Sequence, residues 1–218
     1  MATSARSQNI PRTITVSGRG TGSAPPDTAT INTGVQTTAA TAQEALAANN
    51  RQFQSVLAVL SEQGIEDRDV QTSFFNVNPQ FRRGPNGEQL GITGYRVSNQ
   101  VRVIVRDIDK LGQILDALVT AGSNQVSGVS FSIEDNQEIT DTARAAAVAD
   151  ATRTAGVYAA AAGISVGRLI AISDQSIQAP LPRAVSLDAG AAGFGVPIAS
   201  GELQVTSNVN LQFELVNA

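Results

Sequence analysis

The chain predicts an α+β fold: an antiparallel sheet with a duplicated βαβ core, of the split-βαβ kind, and a long Ala-rich third helix. Three observations carry this. Several stretches alternate apolar and polar residues with the period of a strand, among them ITGYRVSNQVRVIVRD at residues 92–107. Between them lie segments whose apolar residues recur at helical spacing. The order strand, helix, strand then occurs twice, because VQTSFFNV from Val70 and VSGVSFSI from Val126 align with Phe75 on Phe131 and Val77 on Ile133.

Residues 1–11 are polar, end in Ile10-Pro11, and read as a flexible N-terminal tail. RTITVS at 12–17 alternates and reads as a strand. Gly18, Gly20 and Gly22, followed by Ala24-Pro25-Pro26-Asp27, predict a turn-rich break. Alternation resumes at 28–37, with Ala29, Ile31, Thr33 and Val35 on one face. Thr41 and Glu44 form a capping box at the start of a helix with the apolar stripe Leu46, Phe53, Val56, Leu57 and Leu60. Gly64 suits its left-handed stop.

A strand over 70–81 leads into Arg82-Arg83-Gly84-Pro85-Asn86-Gly87, which has the turn chemistry of a hairpin. A long strand follows from about Leu90 to Arg106. The second helix starts near Asp107 or Ile108, carries Leu111, Ile114, Leu115 and Leu118, and stops at Gly122. Residues 125–133 form the next strand, and the third helix spans about 136–162 before Gly163. A short strand is predicted at 168–173, a long flexible loop at 174–200 rich in Pro, Gly and Ala, and a closing strand at 202–216. Residues 12–218 are expected to form a single domain.

Composition narrows the function. Of 218 residues, 42% are hydrophobic and only 4% aromatic, so the core is built from Val, Ile, Leu and Ala. The net charge of −4 keeps such a domain soluble and argues against nucleic acid as the main partner. Lys110 is the single lysine; the other cations are arginines. With no Cys there is no disulfide, thiolate nucleophile or Cys metal site. No apolar run approaches the roughly 18 residues of a membrane span. The N-terminus MATSARSQNIPR has no apolar signal-peptide core, so the expectation is either an exported protein whose leader was removed or a cytoplasmic one.

The motifs read as structural. Gly163-Ile164-Ser165-Val166-Gly167 matches the nucleophile-elbow pattern, but a helix precedes Ser165 and a strand follows, the reverse of the elbow, and the chain has no histidine to serve as its base. Gly18-Arg19-Gly20-Thr21-Gly22 has neither phosphate-loop nor dinucleotide spacing and reads as a turn or bulge. Lys110 has no SxxK partner and reads as a solvated charge. Glu134, Asp135, Glu138 and Asp141 supply oxygen ligands for a hard cation, but not at EF-hand spacing, and acidic residues also complement a helix N-terminus. Arg82, Arg83, Arg96, Arg102 and Arg106 are the one basic concentration; they could hold an anionic ligand, solvate a strand face or pair across an interface. No catalytic, cofactor-binding or metal-ligating residue is assigned, and no cofactor is expected.

ITVSGRG, PPDTATINTGV, AQEALAANN, ITGYRVSNQVRVIVRDIDKLGQILDALVTAGSNQVSGVSF, ARAAAVADA with YAAAAGISVGRLIAIS, and GELQVTSNVNLQFEL together resemble the bacterial SIMPL-domain family, which includes periplasmic 26 kDa immunogenic proteins. The resemblance runs over about residues 12–216. It implies an exported, periplasmic or envelope-associated protein, assembly of copies into large rings with a hollow, channel-like centre, and a link to oxidative-stress tolerance.

The leading expectation is therefore a non-enzymatic envelope protein whose partner is itself, through exposed strand faces or edges and the Ala-rich helix. That helix, whose alanines run from Ala145 to Ala162, packs either on its own sheet or between subunits. The competing class is a binding module for a small apolar ligand, lipid or peptide, held in a cavity roofed by 174–200. An enzyme ranks third, for want of His and Cys.

Overall fold

The computed structural model describes residues 12–85, 88–183 and 200–217. These residues form seven strands, three α-helices and two short 3-10 turns, and divide into two compact units. Pro26–Glu134 make one; the residues before it, those from Asp135 to 183, and those from Gly201 onward make the other.

The unit from Pro26 to Glu134 is the predicted duplicated βαβ. Strand β2 (Thr28–Ala39) leads to α1 (Ala42–Glu62), β3 (Val70–Arg83), β4 (Gln89–Val105), α2 (Leu111–Thr120) and β5 (Gln125–Ser132). The spatial order is β3-β4-β2-β5, with every neighbouring pair antiparallel. Each βαβ is thus split by a strand of the other, which leaves β3 and β5 as the edges. One face of β2 (Ala29, Ile31, Thr33 and Val35) is fully buried. It packs with Val56 and Leu60 of α1, Val101 and Val103 of β4, and Leu111, Ile114 and Leu118 of α2. The alternation seen in the sequence is the physical cause, since period-2 residues reach one face of a sheet.

The helix ends obey local chemistry. Thr41 Oγ1 accepts from the Glu44 amide and Glu44 Oε2 accepts from the Thr41 amide, both at 3.2 Å. Gly64, Gly122 and Gly163 have φ of +79°, +103° and +69°, the left-handed stops expected after the three helices. The amides of Asn86 and Gly87 fall outside the described residues, so that part of the hairpin turn goes undescribed; Gly84 N–H donates to Glu88 O across it at 2.8 Å.

The other unit is a three-stranded antiparallel sheet of β1 (Thr13–Ala24), β6 (Ile164–Arg183) and β7 (Glu202–Asn217) in the order β1-β7-β6, with α3 (Gln137–Ala161) on it. Two expectations are corrected here. The first concerns Gly18, Gly20 and Gly22, expected to break the chain: β1 runs unbroken over Thr13–Ala24 and pairs with β7 (Glu202–Asn217) throughout. The glycines alternate along its buried face, together with Val16. Ala143, Ala147, Ala151, Ala155 and Ala159, spaced by four along α3 and at most 2% exposed, form its buried face together with Thr140. A Cβ on Gly18, Gly20 or Gly22 would collide with the backbone carbonyls of Ala147, Ala143 and Ile139 respectively. The Gly strand and the Ala helix are one device for close backbone approach, and the Ala-rich face is spent within this unit.

The second concerns 168–173 and 174–200. Strand β6 spans Ile164–Arg183 and pairs with β7 from Ile164↔Asn217 to Arg183↔Glu202, with four register irregularities. The first ten residues of the expected loop are therefore strand, despite Pro180 and Pro182, because an edge strand tolerates Pro that a central strand does not. Residues 184–199 lie outside the described residues.

Candidate assembly surface

The residues singled out from sequence do not converge. Gly163 ends α3 and Ser165 lies in β6 opposite Val216. Lys110 Nζ is 2.9 Å from Asp107 Oδ2, and each raises or lowers the other's pKa in the direction of the pair, chiefly through that hydrogen bond. Among the acidic residues, Asp141 pairs with Arg144, Asp135 accepts from the Gln137 amide, and Glu134 pairs with Arg106. No group of three or more metal-ligating side chains occurs among the described residues.

Arg106 is a structural clasp. Its guanidinium holds the buried Asp69 through two 2.9 Å bonds, from Nε to Oδ2 and from Nη2 to Oδ1, and binds Glu134 as well. The Asp69 carboxyl is held below the ordinary carboxylate range, mainly by its hydrogen bond to Arg106, against the opposing effect of burial. The clasp ties the ends of β4 and β5 to the turn before β3. Arg82, Arg83, Arg96 and Arg102 have no ion-pair partner among the described residues.

What the structure does bring together is exposed apolar surface on strand edges. β3 shows Phe74, Phe75, Val77 and Phe81 at 36–53% exposure. β6 shows Leu169, Ile170, Ile172 and Leu181 at 42–60%. Both are edge strands, 14 and 20 residues long, with one side of the backbone unpaired among the described residues. Single exposed apolar residues need no explanation, but rows of them on long open edges mark an interaction surface or an aggregation hazard.

Two features lie at opposite ends of β3. Near Val70, α1 and β3 flank an open groove of about 270 Å³, with Phe53, Leu57, Ile65 and Val70 on its walls and Leu60 and Val101 at its floor; Asp67 lies on its lining. At the other end β2 stops pairing with β4 at Ala39↔Tyr95, while the β3–β4 ladder continues to Arg83↔Gln89. Residues 80–83 and 89–94 thus form a two-stranded arm beyond the four-stranded sheet. Phe81 and Ile92 face one another on it, 42% and 52% exposed, with Leu90 53% exposed beside them. The sequence held a signal for the arm that its reading passed over: the strand predicted at 90–106 is longer than the one at 28–37, so part of it had to overrun its neighbour. The groove had no such signal, because its walls come from α1 and β3.

The family profile SIMPL, described as a protein of unknown function (DUF541), matches residues 14–213. The chain is similar to the 26 kDa periplasmic immunogenic proteins of Brucella melitensis and Brucella abortus, at 37% identity over 214 residues, covering 94% of this chain and 85% of each of those proteins. It is also similar to the uncharacterized protein YggE of Escherichia coli K12, at 24% identity over 205 residues, covering 93% and 82%. None of these names describes an enzyme.

Proposed function

Because the chain belongs to the SIMPL family, we propose that it is a non-enzymatic protein of the cell envelope that works by self-association into a large homo-oligomer, ring-like and channel-like in form. The observation that carries this reading is the pair of long edge strands, β3 and β6, whose apolar side chains face solvent in the single chain. Covering them with further copies removes both the apolar surface and the unpaired edges. The periplasmic naming of the Brucella relatives supports an exported location. Residues 12–218 act in this proposal as one assembly-competent domain.

A ligand-binding module is the weaker reading. The α1–β3 groove of about 270 Å³ is open to solvent and falls just below the roughly 300–1,000 Å³ of small-molecule sites. Side chains of a neighbouring copy suit it better than an enclosed small molecule.

Light scattering after size-exclusion chromatography tests the proposal. The expected result is a mass many times 22.6 kDa that does not depend on added ligand. A chain that stays at 22.6 kDa across the micromolar range sinks it. The link to oxidative-stress tolerance belongs to the same proposal. Peroxide survival should then be restored to a deletion strain by the wild-type gene and not by a monomeric variant.

A further inference from the structure

We infer that the β3–β4 arm of one copy seats in the α1–β3 groove of the next, a head-to-tail contact between chains. This rests on the self-association proposed above and names the surface that performs it.

The two features are complementary. The arm presents Phe81, Ile92 and Leu90, all about half exposed, followed at once by Arg82 and Arg83. The groove presents an apolar wall formed by Phe53, Leu57 and Ile65, with the carboxylate of Asp67 on its lining. Asp67, Arg82 and Arg83 have no ion-pair partner among the described residues, so neither side of the match is engaged within those residues. An arginine fork meeting a carboxylate at the edge of an apolar contact is strong and directional, because two parallel hydrogen bonds form where little water competes.

The contact cannot form within one chain. Val70 and Phe81 lie on the same strand, eleven residues apart, which at about 3.3 Å per residue separates groove from arm by roughly 35 Å. The arm therefore needs a groove that another copy supplies. The contact joins two different patches, so it is heterologous: every copy added buries one arm and one groove and presents another of each. Such a contact ends only when the ring closes; otherwise it makes a filament. A two-stranded ribbon is also marginally stable alone, so docking orders the arm as it builds the assembly.

Charge reversal with rescue is the test, read by light scattering and negative-stain microscopy, with far-UV circular dichroism to check folding. The arm variant Arg82→Asp/Arg83→Asp and the groove variant Asp67→Arg should each reduce the wild-type mass to that of one or two chains. All three substituted positions are exposed, so the spectrum should not change. The variant carrying all three substitutions should regain the large assembly. As a second line, Phe81→Ser/Ile92→Ser should lose it irrespective of charge. An assembled wild type whose mass survives the arm substitutions, or a triple variant that stays small, overturns the arm-in-groove contact and leaves self-association standing. A monomeric wild type overturns both.

Discussion

Replacing Gly20 by alanine tests the Gly-strand and Ala-helix device directly. A methyl at Gly20 would collide with the carbonyl oxygen of Ala143 and the amide of Ala147, and lie 2.8 Å from the carbonyl carbon of Ala146. Carbon atoms in contact settle at about 3.5–4.0 Å, so α3 must withdraw from β1 by roughly 1 Å. The obstacle is helix backbone, which no rotamer change can move aside. Withdrawal also opens a gap under the buried alanines on either side, and a gap of that size forfeits about a quarter to a half of each contact's attraction. Overpacking of this kind costs about 1–3 kcal/mol, here at the upper end, against about 0.5–1 kcal/mol that alanine regains over glycine within a strand. The expected net loss is about 2 kcal/mol. Gly156→Ala is the internal control: Gly156 lies exposed on the same helix with nothing within 4 Å of its added methyl, so it should stabilise by about 1 kcal/mol through helix propensity. Urea unfolding followed by circular dichroism, at one fixed protein concentration, gives both values. A Gly20→Ala loss below about 0.5 kcal/mol, or two shifts of the same sign, would refute the close-approach reasoning.

Two other substitutions probe the unit from Pro26 to Glu134. Thr41→Ala removes the hydroxyl half of the capping box and should cost about 1 kcal/mol in the same unfolding assay, with Thr41→Ser nearly neutral. Arg106→Gln should alter the acid limb of stability. Asp69 has its carboxyl pKa depressed by Arg106 in the folded chain, so its contribution is present above the ordinary carboxylate value of about 3.9 and is lost as pH falls from there through the folded value. Wild-type stability should fall as pH drops below about 4, whereas Arg106→Gln should be less stable at pH 7 and lose less below pH 4. Equal slopes for the two proteins in that acid window would show that the clasp does not carry the linkage.

The sequence by itself determined the local structure of this protein. The capping box at Thr41 and Glu44, the glycine stops at 64, 122 and 163, the buried stripe Leu111-Ile114-Leu115-Leu118 and the alternation of Ala29 to Val35 all stand where their chemistry placed them. So does the duplicated βαβ, because two similar strand–helix–strand segments of short connection pair in few ways. These features depend on neighbours within about four residues, or on a period that any sheet or helix imposes. The tertiary structure alone decided the rest. Gly18, Gly20 and Gly22 look like a break along the chain and become a strand only because α3, more than 100 residues later, offers an alanine face that needs their missing side chains. Residues 174–183 look like a loop and become β6 because β7 supplies the hydrogen bonds. The separation of β1, β6 and β7 into their own sheet, and the placement of arm and groove at opposite ends of β3, rest on the same cause. Pairing partners distant in the chain set them, and no local pattern in one segment records which distant segment will lie beside it.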